Sequence, residues 1–337
     1  MGYYVGLDVS LKATRICVVD EGGRPVWEGI ADTHPEMIAD RLGRFSGELV
    51  LVGLETGSIS PWLYRSLKGL GLPVVCMDAR RAADAVKARS VKTDKADARA
   101  LAEMLQTGWY GQVHVKSEDS HRHRALLGAR DQLVTNKRML CGQIRGLLRP
   151  FGITVKARMG AKRFDEAARA CCAHDDLLYA CVSALLEALG AIESQIAALD
   201  RKVREIVRTS KPCWHLMSVP GVGPVTALSF MATIEDPHRF ARSRDVGAYL
   251  GLTPRRYQSG ERDISGGISR QGDAMTRHYL YEAANCLLTT VRASSPLKSW
   301  GLRLMKRAGA KKARTALARK MAVLLCRIWK QEAHFAA

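Results

Sequence analysis

Short apolar runs alternate with polar turns in the first third of the chain, and two of these runs end on a carboxylate. The run that starts at Tyr3 and ends at Leu7 is followed by Asp8, and the run 49–54 is followed by Glu55. Apolar runs of this length, bounded by polar turns, are typical of strands buried on both faces of a sheet. Ligands of open α/β sheets bind beyond the strand ends, so the pattern places Asp8 and Glu55 where chemistry is expected.

The other apolar segments of this region predict an α/β domain. In chain order the sequence predicts strands at 3–8, 15–20 and 25–31, a helix at 34–45, a strand at 49–54, a helix at 61–69 and a strand at 73–77. Three strands followed by alternating helices and strands are typical of the ribonuclease-H-like sheet. Actin-like ATPases share part of this order, but their second glycine-rich phosphate loop is not evident in the sequence.

Two more acids open a predicted helix. Asp94 and Asp97 are three residues apart in the stretch 92–101, and this spacing puts both on one helix face. Together with Asp8 and Glu55 they would repel one another unless cations compensate. Oxygen ligands favour Mg²⁺ or Mn²⁺ over zinc, and such ions stabilise the oxygens of a phosphoryl transfer. The plainer alternatives are a strand-end turn residue at Asp8 and a helix N-terminal charge at Asp94.

Two long helical patterns occupy the middle of the chain. Residues 121–151 form a strongly basic segment with a leucine at every seventh position from 126 to 147. Residues 178–206 carry apolar side chains at alternating steps of four and three, which is the heptad seam of a coiled coil. The seam favours pairing with a second protomer, and the alternative is packing on residues 121–149 of the same chain.

A different motif begins after residue 211. The sequence Pro220-Gly221-Val222-Gly223 followed by a helical pattern is typical of helix-hairpin-helix modules, whose glycines let backbone amides approach a DNA phosphate. Any tight turn between two helices can use the same residues. These changes of pattern divide the chain into residues 1–118, 119–211 and 212–337.

The excess of basic residues indicates which kind of partner the protein binds. The 337 residues include 52 Lys and Arg against 33 Asp and Glu, a formal net charge of +19. Because the basic residues are spread along the chain, an extended nucleic-acid surface is expected. The sequence suggests neither a membrane span nor a signal peptide, so we expect a cytoplasmic protein with no membrane partner. Nine cysteines without a CxxC pair predict reduced thiols.

The stretch 251–260, GLTPRRYQSG, predicts a polar loop with two arginines, a tyrosine and a serine beside a glycine. A serine hydroxyl is a poor nucleophile unless a base or a metal activates it, and arginines stabilise negative charge on a phosphate. The residues alone favour a phosphate-binding turn for Ser259.

With its four acids, its Pro-Gly-x-Gly turn and GLTPRRYQSG, the chain resembles the DEDD transposases of the insertion-sequence-110 family along nearly its whole length. The resemblance implies a RuvC-like catalytic domain of ribonuclease-H fold, a coiled coil and a mainly α transposase domain. Members of the family are recombinases guided by a structured bridge RNA that pairs with target and donor DNA. The resemblance therefore implies DNA and a structured non-coding RNA as partners, and a homo-oligomer in which dimers assemble into a tetramer.

The resemblance also assigns roles to single residues. It implies that Asp8, Glu55, Asp94 and Asp97 bind Mg²⁺, with Mn²⁺ as a substitute, and that Ser259 attacks a DNA phosphodiester. That attack would form a phosphoserine link and release a 3′-hydroxyl. Nucleic-acid contacts are expected at Gly221, Gly223, Arg255, Arg256 and Arg270.

The sequence leaves two alternatives open. Residues 78–80 are Asp-Ala-Arg where many relatives carry Asn-Pro, which leaves the contacts of that turn undecided. The competing function is a metal-dependent nuclease of the junction-resolving kind, in which water attacks the phosphate and Ser259 only binds it. A non-enzymatic nucleic-acid binder is disfavoured because all four acids are present.

Overall fold

The computed structural model describes residues 2–79, 94–156, 159–260 and 262–335, with the backbone alone at 94 and 95. The chain divides into two compact units, Met1–Ser117 and Glu118–Ala337.

The N-terminal unit is built on a five-stranded sheet. Its described elements are β1 (Tyr3–Val9), β2 (Ala13–Val19), β3 (Pro25–Asp32), α1 (Pro35–Leu42), β4 (Leu49–Glu55), α2 (Ser60–Gly69), β5 (Val74–Met77) and α3 (Asp94–Gln106). The strand order is β3-β2-β1-β4-β5. The first three strands are antiparallel neighbours, and β4 and β5 run parallel to β1. The predicted strands and helices of this unit are therefore confirmed.

Helices cover both faces of this sheet. Successive side chains of a strand point to opposite faces, and Val5 and Leu7 of β1 lie in a buried core with Ile38 of α1 and Leu63 of α2. The other face is covered by α3, whose Leu101 is buried against the sheet. Burial on both faces explains why the strands are almost continuous apolar runs.

The C-terminal unit is mostly helical. Its described elements are α4 (Glu118–Leu148), α5 (Ala161–Cys172), α6 (Asp176–Thr209), α7 (Lys211–Met217), α8 (Pro224–Ile234), α9 (Asp245–Tyr249), β6 (Pro254–Ser259), β7 (Arg262–Ile268), α10 (Ala274–Thr289), α11 (Pro296–Ala308) and α12 (Ala310–Gln331). Strands β6 and β7 form a two-stranded antiparallel sheet of their own. The mixed α/β first part and the mainly α second part agree with the predicted fold class.

Helices α4 and α6 lie side by side in opposite directions. Arg130 Nε of α4 is 2.5 Å from Asp200 Oδ1 of α6, and Lys137 Nζ is 2.7 Å from Glu193 Oε1. Residue numbers thus rise along one helix as they fall along the other, which defines an antiparallel pair.

The heptad seam of α6 packs within its own chain. Val182 and Leu189 share a buried core with Ile144 of α4, and Val203 shares a second core with Leu127 of α4. Within this chain, the intramolecular alternative therefore describes the packing of these seam residues. A heptad pattern specifies that a helix partner exists, but it does not specify which chain supplies it.

Helix α6 also corrects the expectation that the chain has no candidate membrane span. Within the part of the chain that the structure describes, it is the one helix whose length and composition would allow it to cross a membrane. The core helix of a soluble protein passes the same test, and the seam of α6 packs on α4. The property is therefore weak evidence for a membrane protein.

The middle and C-terminal segments, predicted as 119–211 and 212–337, share one hydrophobic core. Leu127 of α4 and Val203 of α6 are buried together with Phe230 of α8, Leu287 of α10 and Leu325 of α12. The structure thus groups both segments in one compact unit.

Candidate active site

Asp8 and Glu55 are neighbours at the same end of two parallel strands. Leu7 of β1 is paired with Leu54 of β4, so the next residue on each strand is an acid. Asp8 lies inside β1, opposite Arg15 of β2, and is therefore a strand residue. This placement removes the alternative of a strand-end turn residue at Asp8.

Helix α3 crosses the sheet where β1 carries a glycine. A methyl group on Gly6 would lie 2.0 Å from the carbonyl oxygen of Ala98 and 2.5 Å from the nitrogen of Ala102. Real side chains do not come so close to backbone atoms, so only glycine allows this approach. The contact fixes the turn of α3 that contains Asp97, which directly precedes Ala98.

The three described acids interact electrostatically. Burial raises the pKa of Glu55 above its ordinary value, and the negative charges of Asp8 and Asp97 raise it further. Among the described residues, no group forms a hydrogen bond with the buried Oδ1 of Asp97. A buried carboxylate oxygen without a partner is unfavourable, so the site favours a cation.

The donor chemistry fits a hard divalent ion. Asp8, Glu55 and Asp97 present only oxygen donors, which suit magnesium or manganese. Asp94 is the first residue of α3, three positions before Asp97, and its side chain lies outside the described residues. Among the side chains that the structure does describe, no three His, Cys, Asp or Glu form a group able to hold an ion. The fit therefore rests on donor type and charge.

Ser259 is the last residue of an exposed β-hairpin strand. The stretch predicted as a polar loop is strand β6, and Ser259 is paired with Arg262 at the start of β7. Every residue of β6 is exposed. Gly260 follows with φ = +55°, a conformation that glycine adopts without strain and that tightens the turn. The loop prediction was wrong because alternating polar residues on an exposed strand lack the apolar period that marks strands.

The two predicted phosphate-binding arginines of this hairpin have partners in the structure. Arg256 forms a bidentate ion pair with Asp263 of β7, with both N–O distances at 2.7 Å. This hydrogen bonding lowers the pKa of the Asp263 carboxyl. Arg255 donates from Nη2 to the carbonyl oxygen of Ser269 at 3.2 Å.

Arg270 lies at the base of the hairpin in a tightly packed crossing. Its φ is +57°, which is uncommon for a residue with a side chain. A methyl group on the neighbouring Gly272 would lie 2.1 Å from the carbonyl oxygen of Tyr249. Arg277 Nη1 donates to the carbonyl oxygens of Gln271 and Gly272. These contacts anchor the hairpin on the body of the unit.

The two glycines of the predicted helix-hairpin-helix turn have different surroundings. Gly221 has φ = +91°, and a methyl group there would lie 2.6 Å from the carbonyl oxygen of Ala283 in α10. Close packing on α10 therefore explains Gly221 without a phosphate. Gly223 is the N-cap residue of α8. No described atom lies within 4 Å of its missing methyl group, which leaves Gly223 as the glycine suited to an anion.

Two family models match separate parts of the chain. Residues 213–298 match the family described as Transposase IS116/IS110/IS902, and residues 5–152 match a DEDD transposase family named for IS110. The transposase for insertion sequence element IS1111A of Coxiella burnetii is 31% identical over 327 residues, which cover 95% of this chain and 88% of that relative. The chain belongs to the IS110 family of transposases.

Two further relatives of this IS110-family transposase carry similar names. A probable family 20 transposase of Pseudomonas aeruginosa is 29% identical over 287 residues, 84% of each chain. The transposase for IS1328 of Yersinia enterocolitica is 26% identical over 276 residues, 81% of each chain. Transposases are enzymes that cut and rejoin DNA, so DNA is a partner of this protein. DEDD transposases typically use a divalent metal ion, which agrees with the oxygen donors at the sheet end.

The sequence pattern missed several residues of this IS110-family transposase that hold the site. Gly6 lies inside a strand pattern, and an isolated glycine there signals a close backbone approach. Asp263 follows Arg256 by seven residues, and only the hairpin register brings the two together. Arg277 acts through backbone carbonyls, which leave no trace in a sequence.

Proposed function

We propose that this transposase cuts DNA with Ser259 as the nucleophile, while Asp8, Glu55, Asp94 and Asp97 hold Mg²⁺. The observation that carries the proposal is the position of Asp8 and Glu55 at the same end of two paired strands. Burial and the charges of Asp8 and Asp97 raise the pKa of Glu55, which supports it. Enzymes that act on phosphates commonly hold Mg²⁺ through one or two carboxylates together with the substrate phosphate. A divalent ion bound there would stabilise negative charge on the reacting phosphate.

In the proposed step, the Oγ of Ser259 attacks the phosphorus of a DNA phosphodiester. Oγ gives up its proton to water as the P–O bond to Oγ forms. The bond to the 3′ oxygen breaks, and that oxygen takes up a proton from water to leave as a 3′-hydroxyl. Three features support this role: Ser259 is exposed, it is followed by a glycine, and it is paired with Arg262. A guanidinium beside the nucleophile favours the charge of the attacked phosphate.

The remaining parts of the proposal concern fold and partners. The strand order of the N-terminal unit supports a ribonuclease-H-like, RuvC-like catalytic domain. The Gly223 turn before α8 supports a phosphate contact of the helix-hairpin-helix type. The family resemblance is the ground for a structured bridge RNA in addition to donor and target DNA, and the charge of +19 suits either polyanion. We further propose a cytoplasmic homo-oligomer of dimers that form a tetramer, in which the Ser259 of one protomer meets the acids of another.

A water-using nuclease is the second candidate. It is favoured by one observation: among the described residues, no side chain forms a hydrogen bond with Ser259 that would take its proton. In this alternative the acids act as proposed, and Ser259 only contacts phosphate.

Trapping of a covalent adduct separates the two functions. The protein is purified from cells that carry the complete element, so that any bound RNA comes with it, and is mixed with end-labelled DNA of the element's own ends. On a denaturing gel we expect labelled DNA attached to the protein, and we expect Ser259→Ala and Asp8→Asn to abolish both adduct and cleavage. Gln258→Ala, one position before the serine, is the matched control and keeps both. Cleavage by Ser259→Ala without an adduct would establish the nuclease.

A further inference from the structure

The face of the hairpin that contains Ser259 also carries an exposed apolar pair. Tyr257 of β6 and Ile264 of β7 lie directly opposite each other, and they are 67% and 60% exposed. Alternate residues of a strand share a face, so Tyr257 lies about 7 Å from Ser259 on the same side. Arg262, opposite Ser259, is on this face as well.

The other face of the hairpin is already neutralised. Arg256 and Asp263 form their ion pair there, beside Gln258. Asp263, the acid of the hairpin whose placement is described, is thus engaged by an arginine. The face with Tyr257 keeps the positive charge of Arg262, which makes it complementary to a polyanion.

Both strands of the hairpin are almost entirely exposed. An isolated two-stranded hairpin is only marginally stable in water, and exposed aromatic and branched side chains side by side are typical of an interaction site. Aromatic side chains stack on nucleobases with little sequence preference, and isoleucine is among the residues that wedge between bases. The flanking arginine and the neighbouring serine point to nucleic acid as the occupant.

We propose that Tyr257 and Ile264 form a platform that holds one nucleobase out of its stack beside the scissile phosphate. The base lies against Tyr257 while its phosphate reaches Ser259, two residues further along the strand. Tyr257 is thus a positioning residue, and the platform sets which phosphate is attacked. The role of Ser259 in this statement rests on the proposed function, whereas the base contact itself does not.

The test measures binding without chemistry. All proteins carry Ser259→Ala and are purified with the RNA that accompanies them. The probe is an intact duplex of the element's end, in which the cleavage position has been mapped beforehand with the unaltered enzyme. Tyr257→Val keeps a side chain suited to a strand but removes the ring. We expect it to weaken binding by roughly 5- to 150-fold, the loss of one stacked base. Tyr257→Phe keeps the ring and is expected to bind as the parent does, and so is Gln258→Ala on the opposite face.

Abasic duplexes identify the contact. One base at a time is removed around the mapped cut, and one abasic position is expected to weaken the parent as much as Tyr257→Val does. Tyr257→Val should bind the duplex that is abasic at this position as tightly as it binds the intact duplex. Equal binding by the valine and parent proteins would overturn the proposal, and so would a loss of the same size on every abasic duplex. A change in oligomeric mass without a change in DNA affinity would instead assign the pair to contacts between protomers. Retained cleavage by Ser259→Ala would contradict the role of Ser259 as the nucleophile, but it would not affect the proposed contact between Tyr257 and a base.

Discussion

Gly6 and Gly53 lie opposite each other on the parallel strands β1 and β4, and side chains of α3 or its backbone lie over both. A methyl group on Gly6 would meet backbone atoms of Ala98 and Ala102, whereas one on Gly53 would meet the end of the Leu105 side chain at 2.6 Å. A side-chain end can rotate away, but the backbone of a helix cannot. The two glycines therefore constrain α3, and with it Asp97, to different degrees.

This difference predicts unequal effects of the same substitution. Gly6→Ala should push α3 off the sheet, destabilise the protein by about 1–3 kcal/mol and abolish DNA cleavage, because overpacking forces the backbone to shift. Gly53→Ala should cost less and keep measurable cleavage. Urea unfolding and cleavage of labelled DNA measure the two effects. Equal losses for both variants would show that α3 does not depend on the Gly6 contact.

Addition of Mg²⁺ should stabilise the wild-type protein against heat. A ligand that binds only the folded state at 100 times its dissociation constant contributes about 2.7 kcal/mol. Asp97→Asn removes a charged ligand, so its melting temperature should respond much less to Mg²⁺. EDTA should reverse the wild-type shift.

Glu103→Gln is the matched control for the metal experiment, since Glu103 is on α3 but is paired with Arg99 instead of the acid cluster. It should keep the full response to Mg²⁺. A response that survives in Asp97→Asn would place the ion elsewhere.

The stability of the C-terminal unit should depend on pH through Asp273. Burial alone would raise the pKa of Asp273, but the Thr276 amide and the Arg124 guanidinium hold it below the ordinary value of 3.8. A carboxylate with a lowered pKa stabilises the fold fully above its unfolded-state pKa, and this contribution is lost as the pH falls through the folded-state pKa. Asp273→Ala also removes the cap of α10, so it should cost about 0.5–2 kcal/mol at pH 7.

Urea unfolding at pH 7 and at pH 3 measures this dependence. The difference in the free energy of unfolding between wild type and Asp273→Ala should shrink at the lower pH. The unfolded-state carboxyl is then largely protonated, so the stabilisation that comes from the lowered pKa declines. Asp273→Asn keeps a capping side chain without the charge, so its cost at pH 7 should be smaller. A difference that is the same at both pH values would remove the ion pair as its cause.

Mixing two inactive proteins tests whether the active site is shared between protomers. Ser259→Ala and Asp8→Asn should each lack cleavage, and their mixture should recover part of it, because a mixed oligomer combines an intact serine with intact acids. The measurement is cleavage of labelled DNA after the two proteins have exchanged subunits.

The control for mixing is the double variant Ser259→Ala/Asp8→Asn combined with Ser259→Ala. This pair has no intact serine and should stay inactive. If exchange is demonstrated by mass measurements and the first mixture also stays inactive, the site is built within one chain.

The fold of the N-terminal unit could be predicted from the sequence because the patterns that determine it are local. A strand buried on both faces must be an apolar run, so the positions of Asp8 and Glu55 at neighbouring strand ends followed from two such runs. The direction of the pKa shift of Glu55 was also predictable, because neighbouring negative charges raise the pKa of a carboxyl group.

The hairpin and the helix pair were harder to predict from the sequence, because they depend on contacts between residues that are far apart in the chain. Strand β6 is exposed on both faces, so its polar residues give no period, and the Arg256–Asp263 pair exists only through the register with β7. For α6 the seam was correctly located, but the partner helix depends on the long-range contacts of Leu189 with α4.

The antiparallel pair of α4 and α6 has a modular length. One core at its far end includes Ile144 and Val182, and a separate core at its near end includes Leu127 and Val203. Between them the helices are joined by the ion pairs of Arg130 and Lys137. A heptad removed from each helix between the cores would shorten the pair by about 10 Å and preserve the facing residues at both ends. The length of this helix pair can therefore differ between related insertion sequences in steps of seven residues, without a change in the packing of either core.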